Sequence, residues 1–243
     1  MANCFLCGGT VTEAMSLSFL FSWRPAEPPT VCTKCRARLV SLKSSTRTHC
    51  PTCYVSTEEG KQCLACQTWA EAYPECAFLH QALYAHIGLA EEWLERYTLI
   101  GDTRLSRIFA KEIRSCLRPL IQEGYTIVPL PSHECKLADG ALDDVARLLV
   151  DAKVPYASLL VCQKSSEQRS NNRTHVKHGA KRSIRCTECD TKFVCMDTHK
   201  GNVHTKQVVL VDLSYGTGKT MWSAASLLYK NGVEHVKTFS VLR

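Results

Sequence analysis

A chain of 243 residues has room for one α/β domain with a small appendage, or for two small domains. With 45% hydrophobic and 22% charged residues, it reads as a soluble folded protein, which excludes wholesale disorder and a membrane-embedded body. The formal charge of +7 and the 15 cysteines are both unevenly placed, and their placement carries most of the information.

Residues 1 to about 76 are dense in Cys, Pro, Ser and Thr and poor in long periodic runs, as expected of a small metal-stapled module. Within them "AMSLSFLFSW" (14–23) is too short for the roughly 18 apolar residues of a bilayer span. It lacks a basic stretch before it and a small-residue cleavage site after it. The expectation is a cytoplasmic protein without membrane insertion.

From about residue 77 the texture changes, and 77–243 reads as a second domain. "LYAHIGLAEEWLERYTLI" (83–100) and "TRLSRIFAKEIRSCLRPLIQEG" (103–124) repeat apolar residues at three- and four-residue intervals, which predicts two amphipathic helices broken at Gly101-Asp102. A strand in "YTIVPLP" (125–131), a helix in "LDDVARLLVDAK" (142–153) and a strand in "YASLLVC" (156–162) follow. The polar, basic stretch after them shows no apolar period and reads as loop. "VVLVD" (208–212) is a β-branched run of the kind buried in a parallel sheet, "TMWSAASLLYKNG" (220–232) a helix, and "VKTFSVL" (236–242) a last strand. Strands alternating with helices predict an α/β fold on a parallel sheet.

The N-terminal cysteines come as four CxxC pairs: Cys4/Cys7, Cys32/Cys35, Cys50/Cys53 and Cys63/Cys66. Two intervening residues let two thiolates meet one tetrahedral zinc, and two such turns complete a four-sulfur site. Sequential pairing puts Cys4, Cys7, Cys32 and Cys35 on one zinc and Cys50, Cys53, Cys63 and Cys66 on another; an interleaved pairing fits the spacing too. A closed four-thiolate site leaves no coordination position for catalysis, so stapling or docking is the expected role. A fifth pair, Cys186/Cys189, precedes Cys195, His199 and His204, with nine residues before the first His where a C2H2 finger has about twelve. A third zinc and an exposed loop with incidental thiols both fit there. Cys76, Cys116, Cys135 and Cys162 end apolar runs and read as small buried residues.

"GTGKT" (216–220) suggests an ATP-binding loop, but the glycine that loop needs at its start falls on Leu213, and only 23 residues follow Thr220. "VVLVDLSYGTGKT" fits another phosphate cradle. In phosphoribosyltransferases an apolar strand ends in acidic residues that hold ribose hydroxyls, and a "TTGxT" loop at a helix N-terminus wraps the 5′-phosphate. Asp212, Thr217, Gly218 and Thr220 match, with Lys219 as a nearby cation. Leu213 stands where the second acid is expected, and Gly216 where a Thr is usual.

In their order, "CFLC", "VCTKC", "CPTC", "CLACQTW", "YTLIGDTRLSRIFA", "IVPLP", a Q…R…R basic stretch and the phosphate loop resemble the ComF family of late-competence proteins. The resemblance covers nearly the whole chain. It implies a double zinc ribbon (1–76) on a type I phosphoribosyltransferase-like domain, and a role in taking up or processing single-stranded DNA in natural transformation beside a helicase-like ATPase of the same operon. Where the family has "RGFNQ", this chain has "DGALD" (139–143), which adds acids where pyrophosphate would sit. The expected ligand at Asp212, Thr217, Gly218, Lys219 and Thr220 is phosphate or phosphoribosyl pyrophosphate, held rather than turned over; the alternative is a working phosphoribosyltransferase.

Between Gln163 and Arg185 lie Lys164, Arg169, Arg173, Lys177, Lys181, Arg182 and Arg185 against the single acid Glu167. In a fold of this kind that segment lies beside the ligand site, so it is the expected source of salt-sensitive contacts to nucleic-acid phosphates.

Overall fold

The computed structural model describes residues 2–11, 29–43, 49–57, 60–131, 142–163, 192–195 and 205–243, with backbone alone for Cys162, Gln163 and 192–195. The stretch 14–23, residues 139–141 of "DGALD", and the basic residues Lys164, Arg169, Arg173, Lys177, Lys181, Arg182 and Arg185 lie outside the described residues, as do Cys135, Cys186, Cys189, His199 and His204.

The centre is a four-stranded sheet, all parallel, built from β3 (His80–Tyr84), β4 (Thr126–Pro129), β7 (Gln207–Ser214) and β8 (His235–Leu242) in the order β3-β8-β7-β4. The expected α/β architecture on a parallel sheet is therefore present. β7 is its axis: side chains alternate across a strand, and both faces of this one are covered, so nearly every residue of "QVVLVDLS" can be apolar. Val209, Val211 and Leu213 enter one core with Ile127, Phe239 and Val241, under α3 (Leu89–Glu95), α4 (Ala110–Gln122) and α5 (Asp144–Asp151). Val208 and Leu210 enter the other with Val128 and Val236, under α6 (Lys219–Lys230).

Each core also takes one cysteine module. Cys4, Cys35 and Leu39, with α1 (Thr33–Ser41), join the first. Cys50, Cys53 and Cys66, with α2 (Leu64–Ala72), join the second. A short antiparallel pair, β1 (Ala2–Asn3) with β2 (Thr10–Val11), closes the first knuckle.

Two expectations need correction. The helix expected from Leu83 does not begin there: His80–Tyr84 is an edge strand paired with β8, with His80, Ala82 and Tyr84 alternately buried. The helix starts only at Leu89, after Gly88 at φ +56°. It ends in a π-helical turn, Arg96–Ile100, closed by Gly101 in the left-handed conformation. The stretch expected to be loop after Gln163 contains β6 (Lys192–Cys195), which pairs antiparallel with β5 (Leu160–Gln163) outside the main sheet. Its alternation was masked by the surrounding charged sequence. Cys76 is buried as expected, and Cys116 is half-buried.

Candidate functional site: two cysteine clusters and an anion loop

The sequential pairing is the one that folding brings about. Cys4, Cys7, Cys32 and Cys35 form one group and Cys50, Cys53, Cys63 and Cys66 another, with the four sulfurs of each within 4.8 Å of one another. In each group a CxxC turn meets a second cysteine pair at a helix start, where Cys32 and Cys63 are the N-cap residues of α1 and α2.

The distances discriminate between bonding types. Cys7 Sγ lies 3.7 Å from Cys32 Sγ, and Cys53 Sγ 3.6 Å from Cys63 Sγ. A disulfide would need about 2.05 Å. Two sulfurs on a tetrahedral zinc with bonds of about 2.3 Å stand about 3.8 Å apart. The donor set thus fits a thiophilic ion such as zinc. The surroundings split the thiols of each group: burial pushes Cys35 and Cys63 up and the Cys53 sulfur pushes Cys66 up, while one thiol in each group is held down. Burial opposes ionisation of Cys4, but the amides of Cys32, Cys7 and Leu6 hold its thiol down to about 6. A bond from Cys66 holds Cys53 down to about 4, against burial and with help from the Arg243 guanidinium.

The first module is clamped from outside. Arg96 donates to the carbonyls of Leu6 (2.8 Å) and Phe5 (2.9 Å), inside the Cys4–Cys7 turn, and is held by Asp102 at 3.0 Å. Arg104 binds the same carboxylate and lies over the Phe5 ring. The Gly101-Asp102 break seen in sequence is therefore a fastening point: Gly101 at φ +75° turns the chain, and Asp102 collects both arginines.

The second module meets the loop expected to bind phosphate. At the end of β7 the chain passes through Tyr215, Gly216, Thr217 and Gly218 into α6. Gly218, the N-cap residue, has φ +89°, and a Cβ there would stand 2.5 Å from Tyr215 Oη, so only glycine fits. Trp69 of α2 donates through Nε1 to the Thr217 carbonyl at 2.9 Å. Arg243 donates to the carbonyls of Tyr215 and Gly216, both at 3.1 Å, and to Cys53 through its carbonyl (2.9 Å) and its sulfur (3.3 Å). Tyr73 stacks on Trp222 of α6, and Ser226 donates to Glu75.

The sequence-predicted ligand residues fall together here. Thr217 and Lys219 are exposed, Thr220 is half-exposed, and the Lys219 amide faces Thr217 Oγ1 at 3.4 Å. Asp212 lies three residues before the loop's first member, Tyr215, and its Oδ1 accepts from the Leu213 amide at 2.7 Å. Burial pushes its carboxyl up to about 7, the Leu213 amide opposes this, and Asp143 at the start of α5 adds to it. Leu213, where a second acid was expected, is 8% exposed and packs in the first core. Cavities of about 420 Å³ beside Phe5, Arg96 and Arg104, and about 610 Å³ beside Gln62, Phe78 and Trp222, adjoin the modules and do not include residues 217–220.

Sequence reasoning missed Trp69, Arg96, Asp102, Asp143, Tyr215, His80 and Arg243. Trp69 sits within the quoted "CLACQTW", and Asp102 within the quoted "YTLIGDTRLSRIFA", so those motifs held a signal read only as resemblance. Arg243 and His80 have no local signature: His80 pairs with Thr238 and Ser240, more than 150 residues away, and Arg243 reaches back 27 and 28 residues to Gly216 and Tyr215 and 190 residues to Cys53.

No family model matches the chain. It is similar along its length to the competence protein ComFC of Streptococcus pneumoniae, 26% identical over 241 residues, which is 99% of this chain and 100% of that protein. It is also similar to the competence protein ComFC of Bacillus subtilis, 23% identical over 244 residues, covering 99% of this chain and 94% of that one.

Proposed function

The chain belongs to the ComF family, and on that premise we propose that it is a competence accessory protein that handles incoming single-stranded DNA in natural transformation. The observation that carries this is similarity to two competence proteins over 99% of the chain, which takes in both cysteine clusters and the anion loop. Zinc is the proposed metal of both clusters, with a role in fold and docking. The loop at Thr217, Gly218, Lys219 and Thr220, with Asp212, holds a phosphate or phosphoribosyl group, and the basic run Lys164, Arg169, Arg173, Lys177, Lys181, Arg182 and Arg185 contacts nucleic-acid phosphates. Cys186, Cys189, Cys195, His199 and His204 are proposed as a third metal knuckle in the same segment. A helicase-like ATPase supplies the energy, and through it the protein is recruited to the uptake machinery. Among the described residues no helix is long and apolar enough to cross a membrane.

A second reading, phosphoribosyl transfer, draws support from Asp143, whose carboxylate acts on Asp212 although Leu213 is not an acid. The test of the first reading is a salt series of gel shifts with single-stranded DNA, comparing wild type with a variant carrying Arg169→Ala, Arg173→Ala and Lys177→Ala. The expected outcome is weaker binding and a shallower salt dependence in the variant, the slope falling by up to about one unit per lost phosphate contact. Unchanged affinity rejects the DNA reading. Consumption of phosphoribosyl pyrophosphate by wild type would instead favour the transferase.

A further inference from the structure

We propose that Trp69 and Arg243 are positioning residues of the anion loop, so that the second cysteine module forms part of the phosphate site rather than a separate staple. This rests on reading residues 217–220 as an anion site. The geometry is unusual in its completeness: the carbonyls of three consecutive residues, Tyr215, Gly216 and Thr217, all accept from side chains that anchor to the second module. Trp69 is on the same helix as Cys66, three residues beyond it. Arg243 bridges to Cys53, one of the four sulfurs, and lies 4.9 Å over the Tyr215 ring.

The consequence follows from the peptide bond. Among the described residues no peptide is cis, and in a trans peptide the N–H points opposite to the C=O. Fixing the carbonyls of 215, 216 and 217 toward the module therefore turns the amides of Gly216, Thr217 and Gly218 away from it. Among the described residues those three amides meet no backbone acceptor. Successive amides presented on one side at a helix start form a concave anion cradle. An amide cradle needs no second carboxylate, which accommodates Leu213.

The packing beneath the loop reinforces the hold. Tyr215 is 3% exposed, its ring lies 4.4 Å from His80, and Gly218 rests on its hydroxyl. The loop is thus supported by Tyr215 from below and drawn laterally by Trp69 and Arg243. Loss of either donor frees a peptide plane to rotate and scatters the amides.

The experiment compares full-length, metal-loaded wild type with Trp69→Phe, Arg243→Met and the control Arg96→Lys. Metal content is measured on every sample. Phosphoribosyl pyrophosphate and, separately, inorganic phosphate are titrated by calorimetry, and the amide signals of Gly216 and Gly218 are followed by NMR. Trp69→Phe keeps an aromatic ring, smaller than the indole, and removes the Nε1–H donor, and binding should weaken about fivefold, as for loss of one hydrogen bond. Arg243→Met removes a charged donor to two carbonyls and should weaken it about tenfold or more. Both should shift the Gly216 and Gly218 amide signals without ligand, a change that a loss of global stability alone would not produce. Arg96→Lys, which alters only the first module, should leave binding and both signals unchanged. Wild type that binds neither anion overturns the ligand reading on which this rests. Wild-type binding that persists undiminished in Trp69→Phe and Arg243→Met, with metal intact and amide signals unmoved, overturns the positioning role alone.

Discussion

Asp212 is the best place to test how the fold treats its ligand site, because one carboxyl there couples stability to pH with a calculable sign. Burial raises its pKa from about 3.8 to about 7. The native state keeps the proton up to about 7, whereas the unfolded chain releases it near 3.8, so between those values the native state binds more protons and stability falls as pH rises. The slope is about 1.4 kcal/mol per pH unit. Across the whole window that amounts to about 4 kcal/mol, reduced to about 2–4 by the partial solvent access of the side chain. Asp212→Asn is neutral at every pH and nearly isosteric. It should exceed wild type in unfolding free energy at pH 8 by about 2–4 kcal/mol, and its advantage should shrink by about 2 kcal/mol at pH 5. The assay is urea unfolding of zinc-loaded protein at both pH values, read as the difference between variant and wild type. Acid effects common to the two proteins, including protonation of the cysteine clusters, then cancel. The same substitution should weaken phosphoribosyl pyrophosphate binding at pH 8, where the carboxylate would accept ribose hydroxyls. A variant no more stable than wild type at either pH would show that Asp212 is not held in a desolvated site, and would remove this account of the strand end.

His80 should show the opposite slope. It is 4% exposed, its ring nitrogens face Thr238 Oγ1 (2.9 Å) and Ser240 Oγ (3.0 Å), and burial, aided by Arg243, holds its pKa down to about 3. The unfolded chain takes up a proton below about 6.5 that the native state refuses, so stability is lost as pH falls from 6.5 toward 3. His80→Asn should cost about 1–3 kcal/mol at pH 7 through the broken pairings, and should flatten the acid limb by about 1.4 kcal/mol per pH unit in urea unfolding. For the first module, elemental analysis should return two zinc ions from the two clusters, plus one if the 186–204 cluster also binds. Arg96→Ala should release one zinc to a chelator about tenfold faster while the other is retained, because only the Cys4–Cys7 turn loses its clamp. Equal release from wild type and variant would dismiss Arg96 as a support of that site.

What was legible in the sequence was local or periodic. The CxxC pairs, the β-branched run of β7 and the glycine-bearing turn into α6 each draw on neighbours a few residues away, and each lies where the spacing placed it. Leu83 and Tyr84 were misread as helix, and the strand they end was missed, because a five-residue edge strand containing His and Gln gives a weak signal and its apolar end runs into a helix-like pattern. The grip on the loop was not legible at all. Trp69 reaches Thr217 across 148 residues and Arg243 reaches Cys53 across 190, and nothing in the local sequence of either residue specifies such a partner.

Leu213 looks different once these long-range contacts are known. By strand alternation its side chain points with Val209 and Val211 into the core under α3, α4 and α5, so an acid there would be a buried charge unless the helices moved apart. Asp212 alone marks the strand end, and at neutral pH it is about half protonated, which weakens it as a fixed negative partner for a metal-bound pyrophosphate. Beside the Thr217 and Thr220 side chains and Lys219, the proposed site then depends on its backbone, and backbone amides recognise phosphate only when their peptide planes are held. The second cysteine module supplies that hold through Trp69 and Arg243. On the proposed reading, a site that relies on fixed amides more than on paired carboxylates retains a phosphate group, and because module and loop share their packing, removing the metal with a chelator should abolish phosphate binding as well; binding that survives chelation would refute the coupling.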